Sequence, residues 1–547
     1  MNDTSLINDH KIFGWLPGIV IASVFFVLYV RCLPPSVMPH DTAEMAVVSW
    51  GLGLAHSIGY PLYICIGHVF IRLVPFGDPA WRLSFSSACF SCASLILLFR
   101  LAYTLIRGHS AVRAAGACAA VMVLGCAPTF RAVSIESQMY PLQILLTLIV
   151  VTFVLGWLRH GGSRIYWAAF VLGITCGVHT ATIALLPGFV YVVFSDPERR
   201  RRSVYWFTAL AACAFAGFLA GYVLLFWVLW SRHVPYDFWN KVIVNNASLY
   251  SLPENDAFSF WTALGFSLKN GQYANLKLIS SPVGMALRFF FVPFRLVAEF
   301  APLGALAAVA GLCKGIAGRR INRFLMLVIV TICVVSAVPF WKNAIYQLPA
   351  LVVLALYVGV CTACVVGRCA RLFRARAWIL FSGTLAVLLC LGAVNYSLGS
   401  VSHGLFVRAA RAISGPMVRR TMLESIAVPR VCLAGDTAAR DAARGMVSVF
   451  RPGAVVYARW DWLYVLEYAC RVEQSITTLD VYELFPAGSQ RPEHREMRFA
   501  GIESAYAQGK PVYFVGILPG RYEHRVREIA AGLCWELTGA KRVDVVE

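Results

Sequence analysis

From residue 12 to residue 394 the chain repeats one pattern: an apolar run, a short polar interruption, then another apolar run. A helix needs roughly 20 apolar residues to cross the hydrocarbon layer of a bilayer. About eleven runs meet or approach that length: 12–33, 83–106, 114–127, 142–157, 165–178, 181–194, 204–230, 300–312, 324–340, 348–366 and 377–394. With 59% hydrophobic and only 14% charged residues among 547, and a mean hydropathy of +0.68, no single water-soluble core could hide this composition. A lipid-facing surface accounts for it. The run 12–33 exceeds a signal-peptide core and is followed by Leu33-Pro34-Pro35 rather than a small-residue cleavage pattern, so it is expected to stay as an uncleaved first span.

The formal charge of +20 does not mark a nucleic-acid binder, because of where it lies. Residues 1–397 carry 29 Lys and Arg against 12 Asp and Glu, whereas residues 398–547 carry 19 against 16. The excess sits on alternate loops between apolar runs: Arg107 and Arg113; Arg159 and Arg164; Arg199 to Arg202; Lys314, Arg319, Arg320 and Arg323; Arg368, Arg371, Arg374 and Arg376. Basic loops stay on the cytoplasmic side. The pattern therefore predicts an inner-membrane, multi-pass protein with its N-terminus inside and its tail outside.

Residues 398–547 read as a separate water-soluble domain. Strands are expected at 430–434, 454–460, 475–482 and 511–518, with helices at 462–471, 493–508 and 522–533, an alternation that predicts a small α/β domain with a largely parallel sheet. The tail has neither a G-x-G-x-x-G phosphate loop nor a G-x-S-x-G elbow. Most of the 17 cysteines fall inside apolar runs, where a thiol acts as a small hydrophobe; Cys361-Thr-Ala-Cys364 has CxxC spacing but lies mid-run with no second pair or histidine nearby, which argues against a metal or redox role.

Chemistry concentrates on two long outer segments, 34–82 and 232–295. The second is dense in aromatics, which suit an interfacial belt or a lipid or sugar site. In the first, Asp41 and Glu44 stand i, i+3 on one helix face. Such a pair can deprotonate a hydroxyl or hold a divalent cation. It can equally be a capping box, with Asp41 at the N-cap and Glu44 reaching back. His56 and Tyr60, in His56-Ser-Ile-Gly-Tyr-Pro-Leu-Tyr63, occupy a turn before a helix that starts at Pro61. Glu136 and Tyr140, i, i+4 on another outer loop, and His179, between two short runs, are further candidates; a solvated carboxylate and a buried structural histidine are the plainer readings of these.

Taken together, Asp41-Thr-Ala-Glu44, then His56-Ser-Ile-Gly-Tyr-Pro61, then Trp81-Arg82, then the loop of Glu136 and Tyr140, then His179 resemble the opening of the protein O-mannosyltransferase-like membrane family of GT-C fold. The resemblance runs over about residues 34–187, with Ser57 and Ile58 where the family has two prolines and the loop acid displaced to Glu136. It implies a GT-C-type membrane domain over 1–397 and an extracytoplasmic α/β domain over 398–547. It also implies transfer of a sugar, mannose among the candidates, from a polyprenyl-phosphate donor to a hydroxyl of a protein or envelope glycan. Asp41 would be the base, with Glu44 beside it; His56, Tyr60, Tyr63, Glu136, Tyr140, His179 and Lys342 would line the substrate site, with Arg131 and Arg288 as further cations. A transporter of a lipid-linked precursor and a noncatalytic scaffold or sensor of the same fold are the alternatives. A transporter would carry membrane-embedded charges and internal repeats, and the sequence displays neither.

Overall fold

A computed structural model describes residues 14–196, 203–250, 252, 259–269, 282–316, 318–337, 343–372, 383, 432–485 and 492–539. The helices that frame the molecule are α1 (Leu16–Arg31), α2 (Asp41–Gly51), α3 (Pro61–Leu73), α4 (Pro79–Leu105), α5 (Ser110–Cys126), α6 (Pro128–Ile135), α7 (Tyr140–His160), α8 (Arg164–Thr175), α9 (Val204–Phe218), α10 (Pro282–Lys314), α11 (Arg319–Ala337) and α12 (Leu348–Leu372). Each expected run up to residue 366 overlaps a helix; the run 377–394, apart from residue 383, and the proposed boundary at 397 lie outside the described residues. Five described helices are long and apolar enough to cross a membrane, or six if α5 and α6, bent by 66° at the Ala127-Pro128 junction, form one span. Pro128 causes that bend, since its ring cannot continue the hydrogen-bond ladder of α5. The remaining apolar helices, α3 among them, are shorter than a straight crossing requires.

Two kinds of surface hold these helices in place. Outward stripes stay apolar: Leu303, Leu306 and Val309 on α10 are 65%, 67% and 51% exposed, a face that only lipid would cover. Inward contacts are made through glycine. Gly173 and Gly177, at the end of α8 and just beyond it, face Gly217 and Gly221 of α9 and its continuation. A Cβ on Gly177 would lie 1.8 Å from the Gly221 carbonyl oxygen, and one on Gly217 would lie 2.0 Å from the Phe170 carbonyl oxygen. Hydrocarbon gives helices no hydrophobic reason to associate, so this backbone-to-backbone approach carries the packing. Gly217→Ala is therefore expected to cost about 1–3 kcal/mol, read as a lower midpoint of thermal unfolding in detergent. An unchanged midpoint would mean that the helices separate freely.

The tail forms a five-stranded sheet of β1 (Val455–Ala458), β2 (Asp480–Glu483), β3 (Val512–Val515), β4 (Val526–Ala530) and β5 (Cys534–Leu537), in the order β2-β1-β3-β5-β4. β1 pairs parallel with β2 and β3, whereas β5 pairs antiparallel with β3 and β4, so the sheet is mixed rather than largely parallel. Helices α13 (Ala438–Val449), α14 (Trp460–Glu467) and α15 (Pro492–Ala507) accompany it. The helix expected at 522–533 is instead a short turn followed by β4. Tyr522, Val526 and Ile529 imitate a helical repeat, but Gly532 (φ +61°) turns the chain back so that β4 covers the edge of β5, with Arg527 paired to Glu536 across the ladder. The strand expected at 430–434 is also absent among the described residues. There the Leu433 N–H bonds the Cys32 carbonyl at the end of α1 (2.9 Å), which ties the tail to the membrane part.

Candidate active site

His40 precedes α2 with φ +68°, and this left-handed step makes Asp41 the first helical residue rather than the N-cap. A non-glycine residue held there stores of order 1–3 kcal/mol, a cost met most often around functional sites. The capping-box reading fails: Glu44 does not reach back but is fully buried and turned to His56. Its Oε1 accepts the His56 backbone N–H (2.6 Å) and its Oε2 accepts the His56 Nδ1–H (2.5 Å). Burial pushes the Glu44 carboxyl up, against the pull of the His56 ring.

With Nδ1 committed to Glu44, the other ring nitrogen of His56 lies 3.1 Å from the Tyr60 hydroxyl. The carboxylate thereby fixes which nitrogen carries the proton. Gly59 (φ +83°) and Tyr60 (φ +44°) form the turn that returns Tyr60 beside His56, and Pro61 then opens α3. Rings continue the line: Tyr60 stacks on His179 with centroids 6.0 Å apart, and His179 meets Tyr140 and Tyr346, each at 5.5 Å. His179 also caps the following 3-10 turn, its Nδ1 accepting the Ala181 N–H (3.0 Å).

The structure thus gathers Glu44, His56, Tyr60, Tyr140 and His179 into one connected cluster beside Asp41. Glu136 stands half-buried at the end of α6, accepting from the Gln138 side chain (3.5 Å). Tyr63, fully buried, belongs to the apolar core, and Lys342 lies outside the described residues. Among the described residues no three His, Cys, Asp or Glu side chains converge where a metal ion could sit.

Residues far away in sequence complete the site. Trp460, at the start of α14, donates its indole N–H to Asp41 Oδ1 (3.3 Å) and stands edge-on to His56 at 6.0 Å. From the long segment 232–295 come Phe238, 6.3 Å from His56, and Asp237. Phe238 and Trp239 are buried, so this part of the expected interfacial belt instead faces the protein. Asp237 accepts the N–H of Leu54 (2.8 Å) and of Asn240 (2.8 Å), pinning the loop that leads into His56. Lys241 Nζ meets the buried carboxylate of Glu467 (2.9 Å), which also holds Arg471 (3.0 Å).

Burial pushes the Asp237 carboxyl from 3.8 up to about 7, against the N–H donors that pull it down. The folded chain therefore holds this proton more tightly than the unfolded chain does. This contribution to stability is expected to decline as pH rises from about 3.8 and to level off above about 7. Asp237→Asn, compared with the parent in unfolding curves across that window, should flatten the slope; an identical slope would remove Asp237 as its source.

Residues 41–203 match the model for the protein O-mannosyl-transferase TMEM260 N-terminal domain. The chain is 20% identical over 318 residues to the protein O-mannosyl-transferase tmem260 of Dictyostelium discoideum, covering 54% of this chain and 36% of that one. It is 32% identical over 90 residues to TMEM260 of Mus musculus, covering 16% and 12%. The aligned segments thus span about a third of the first relative and an eighth of the second. In structure the chain is similar to ArnT from Cupriavidus metallidurans bound to undecaprenyl phosphate (TM-score 0.54, 14% identity, 95% of this chain and 97% of that one). It is also similar to the oligosaccharyltransferase AglB from Archaeoglobus fulgidus in complex with an inhibitory peptide and a dolichol-phosphate (TM-score 0.51, 13% identity, 92% and 70%). Residues 41–203 therefore match the TMEM260-type O-mannosyl-transferase N-terminal domain, and the chain as a whole has the GT-C fold.

Proposed function

We propose that this protein is a membrane glycosyltransferase that moves a sugar, mannose among the candidates, from a polyprenyl-phosphate carrier to a hydroxyl of a protein or envelope glycan. The observation that carries the reading is Asp41, held at the start of α2 by Trp460 and set beside the Glu44–His56–Tyr60 chain. In this reading Asp41 takes the proton of the acceptor hydroxyl as its oxygen bonds to the anomeric carbon. The bond from that carbon to the phosphate oxygen breaks, and the carrier leaves as the polyprenyl phosphate anion.

Glu44 has both oxygens engaged by His56 and serves to orient rather than to accept a proton. Tyr140, His179 and Tyr346 offer ring faces suited to a sugar. The buried guanidinium of Arg131 on α6 is a cation for the phosphate, and Arg288 on α10 is another. The alternating basic loops favour a site and tail on the outer face of the inner membrane, with the membrane part ending near 397. The lipid phosphates and the peptide bound by the similar structures favour a lipid-linked donor and a protein acceptor.

The test is transfer from radiolabelled polyprenyl-phosphate mannose to endogenous acceptors, in membranes containing the parent or a correctly inserted Asp41→Asn chain. Incorporation lost in the variant alone supports the reading. Equal incorporation removes Asp41 as base, and none with either chain removes this donor.

A further inference from the structure

The ends of α4 and α7 remote from the candidate site enclose a cavity of about 380 Å³ that the proposed reaction does not use. Tyr140 opens α7 at the site and Arg159 lies nineteen residues on, roughly 28 Å away at 1.5 Å per residue. The cavity is walled by Leu101 and Phe153 and rimmed by Arg100, Arg159, His160 and Arg164, and its described lining contains no carboxylate. Arg107 and Arg113 stand close enough to repel Arg159, so the positive charge is concentrated there rather than balanced.

The rim is also held in shape. The Arg100 guanidinium packs over the Trp15 ring (5.1 Å), and a Cβ on Gly156 would meet Arg164 Cδ at 2.9 Å, so the missing side chain makes room for the Arg164 stem. Cations that merely snorkel toward head groups need neither a cavity nor an apolar wall.

We infer that this cavity binds the phosphate of an anionic phospholipid from the leaflet opposite the candidate site, with an acyl chain lying along Leu101 and Phe153. A free phosphate would satisfy the arginines but leave the apolar wall without a partner, whereas an anionic lipid matches both halves. Its place at the helix ends fits a head group, and its volume falls within the range of small-ligand sites.

The test uses the purified full chain in detergent, with bound lipid counted by native mass spectrometry during titration with phosphatidylglycerol, phosphatidylcholine or inorganic phosphate. Phosphatidylglycerol is expected to bind about tenfold or more tighter than phosphatidylcholine. That preference should be lost in Arg159→Gln/Arg164→Gln and kept in Arg319→Gln/Arg320→Gln, which removes the same charge elsewhere. Thr104→Trp, which fills the cavity and keeps every arginine, should also abolish the bound lipid and decides the matter if the double variant does not fold. Equal loss in the Arg319/Arg320 pair, no preference between the two lipids, displacement by millimolar phosphate, or retention in Thr104→Trp would each overturn the inference.

Discussion

Glu467→Gln is expected to destabilise the protein by about 3–5 kcal/mol, because it removes the single carboxylate shared by two cations in a buried place. Glu467 is fully buried; Lys241 Nζ approaches one oxygen (2.9 Å) and Arg471 Nε the other (3.0 Å). An amide keeps the shape but supplies no negative charge, and its NH2 would point at a cation. Lys241, itself 6% exposed, would remain charged with no carboxylate partner among the described ion pairs and only the Tyr482 ring face, 5.2 Å away, against it. Since Lys241 belongs to the long segment 232–295 and Glu467 to the tail, the loss should show as separation of the two before the membrane helices melt. Limited proteolysis alongside thermal unfolding in detergent would read both events. The double change Glu467→Gln with Lys241→Met should recover part of the loss, since it removes the orphaned charge as well. A cost below about 1 kcal/mol for Glu467→Gln would place this pair with ordinary surface ion pairs.

Asp41→Asn is expected to lower sugar transfer by about 10²–10⁴-fold, the usual worth of a positioned general base. The substitution is a mild one for the fold. Asp41 is half-buried, and the asparagine amide oxygen can still accept the Trp460 indole N–H that Asp41 Oδ1 accepts (3.3 Å). Unfolding midpoint and membrane insertion should therefore match the parent while the initial rate falls. Trp460→Phe keeps the ring and loses the donor, so it should reduce the rate less, by about tenfold, the lower end for a hydrogen bond to a charged group, since the contact is long at 3.3 Å. A variant at Asp41 that keeps more than a tenth of the parent rate would transfer the role of base to another group.

How legible this was in the sequence depended on how far apart the partners lie. Asp41, Glu44, His56 and Tyr60 fall within twenty residues of each other, and their residue types alone marked them as chemical. Even there the i, i+3 acids fit two geometries. Only the left-handed step at His40 and the turn through Gly59 show that Glu44 faces His56. Tyr346 went unmarked, although a signal exists: Tyr60, Tyr140 and Tyr346 each stand one to three residues before a proline in the first turn of a helix. Trp460 and Glu467 carried no local signal, since an indole and a carboxylate in a soluble domain acquire their meaning only from what they dock against. In the tail, an apolar repeat at 522–529 matched a helix, and the pairing of β4 with β5 overrode it.

The contact between Trp460 and Asp41 spans 419 positions of the chain. A ribosome adding about 5–20 residues per second needs about 20–80 s to travel that distance. During that interval residues 34–82 have been made without the helix Trp460–Glu467 that packs on α2, and Asp41 lacks its indole partner. Nascent and prematurely terminated chains therefore hold Asp41 and the Glu44–His56–Tyr60 chain but not the contact with Trp460. The contact therefore forms only after Trp460 has been made, and a chain that stops before it keeps Asp41 without that hydrogen bond.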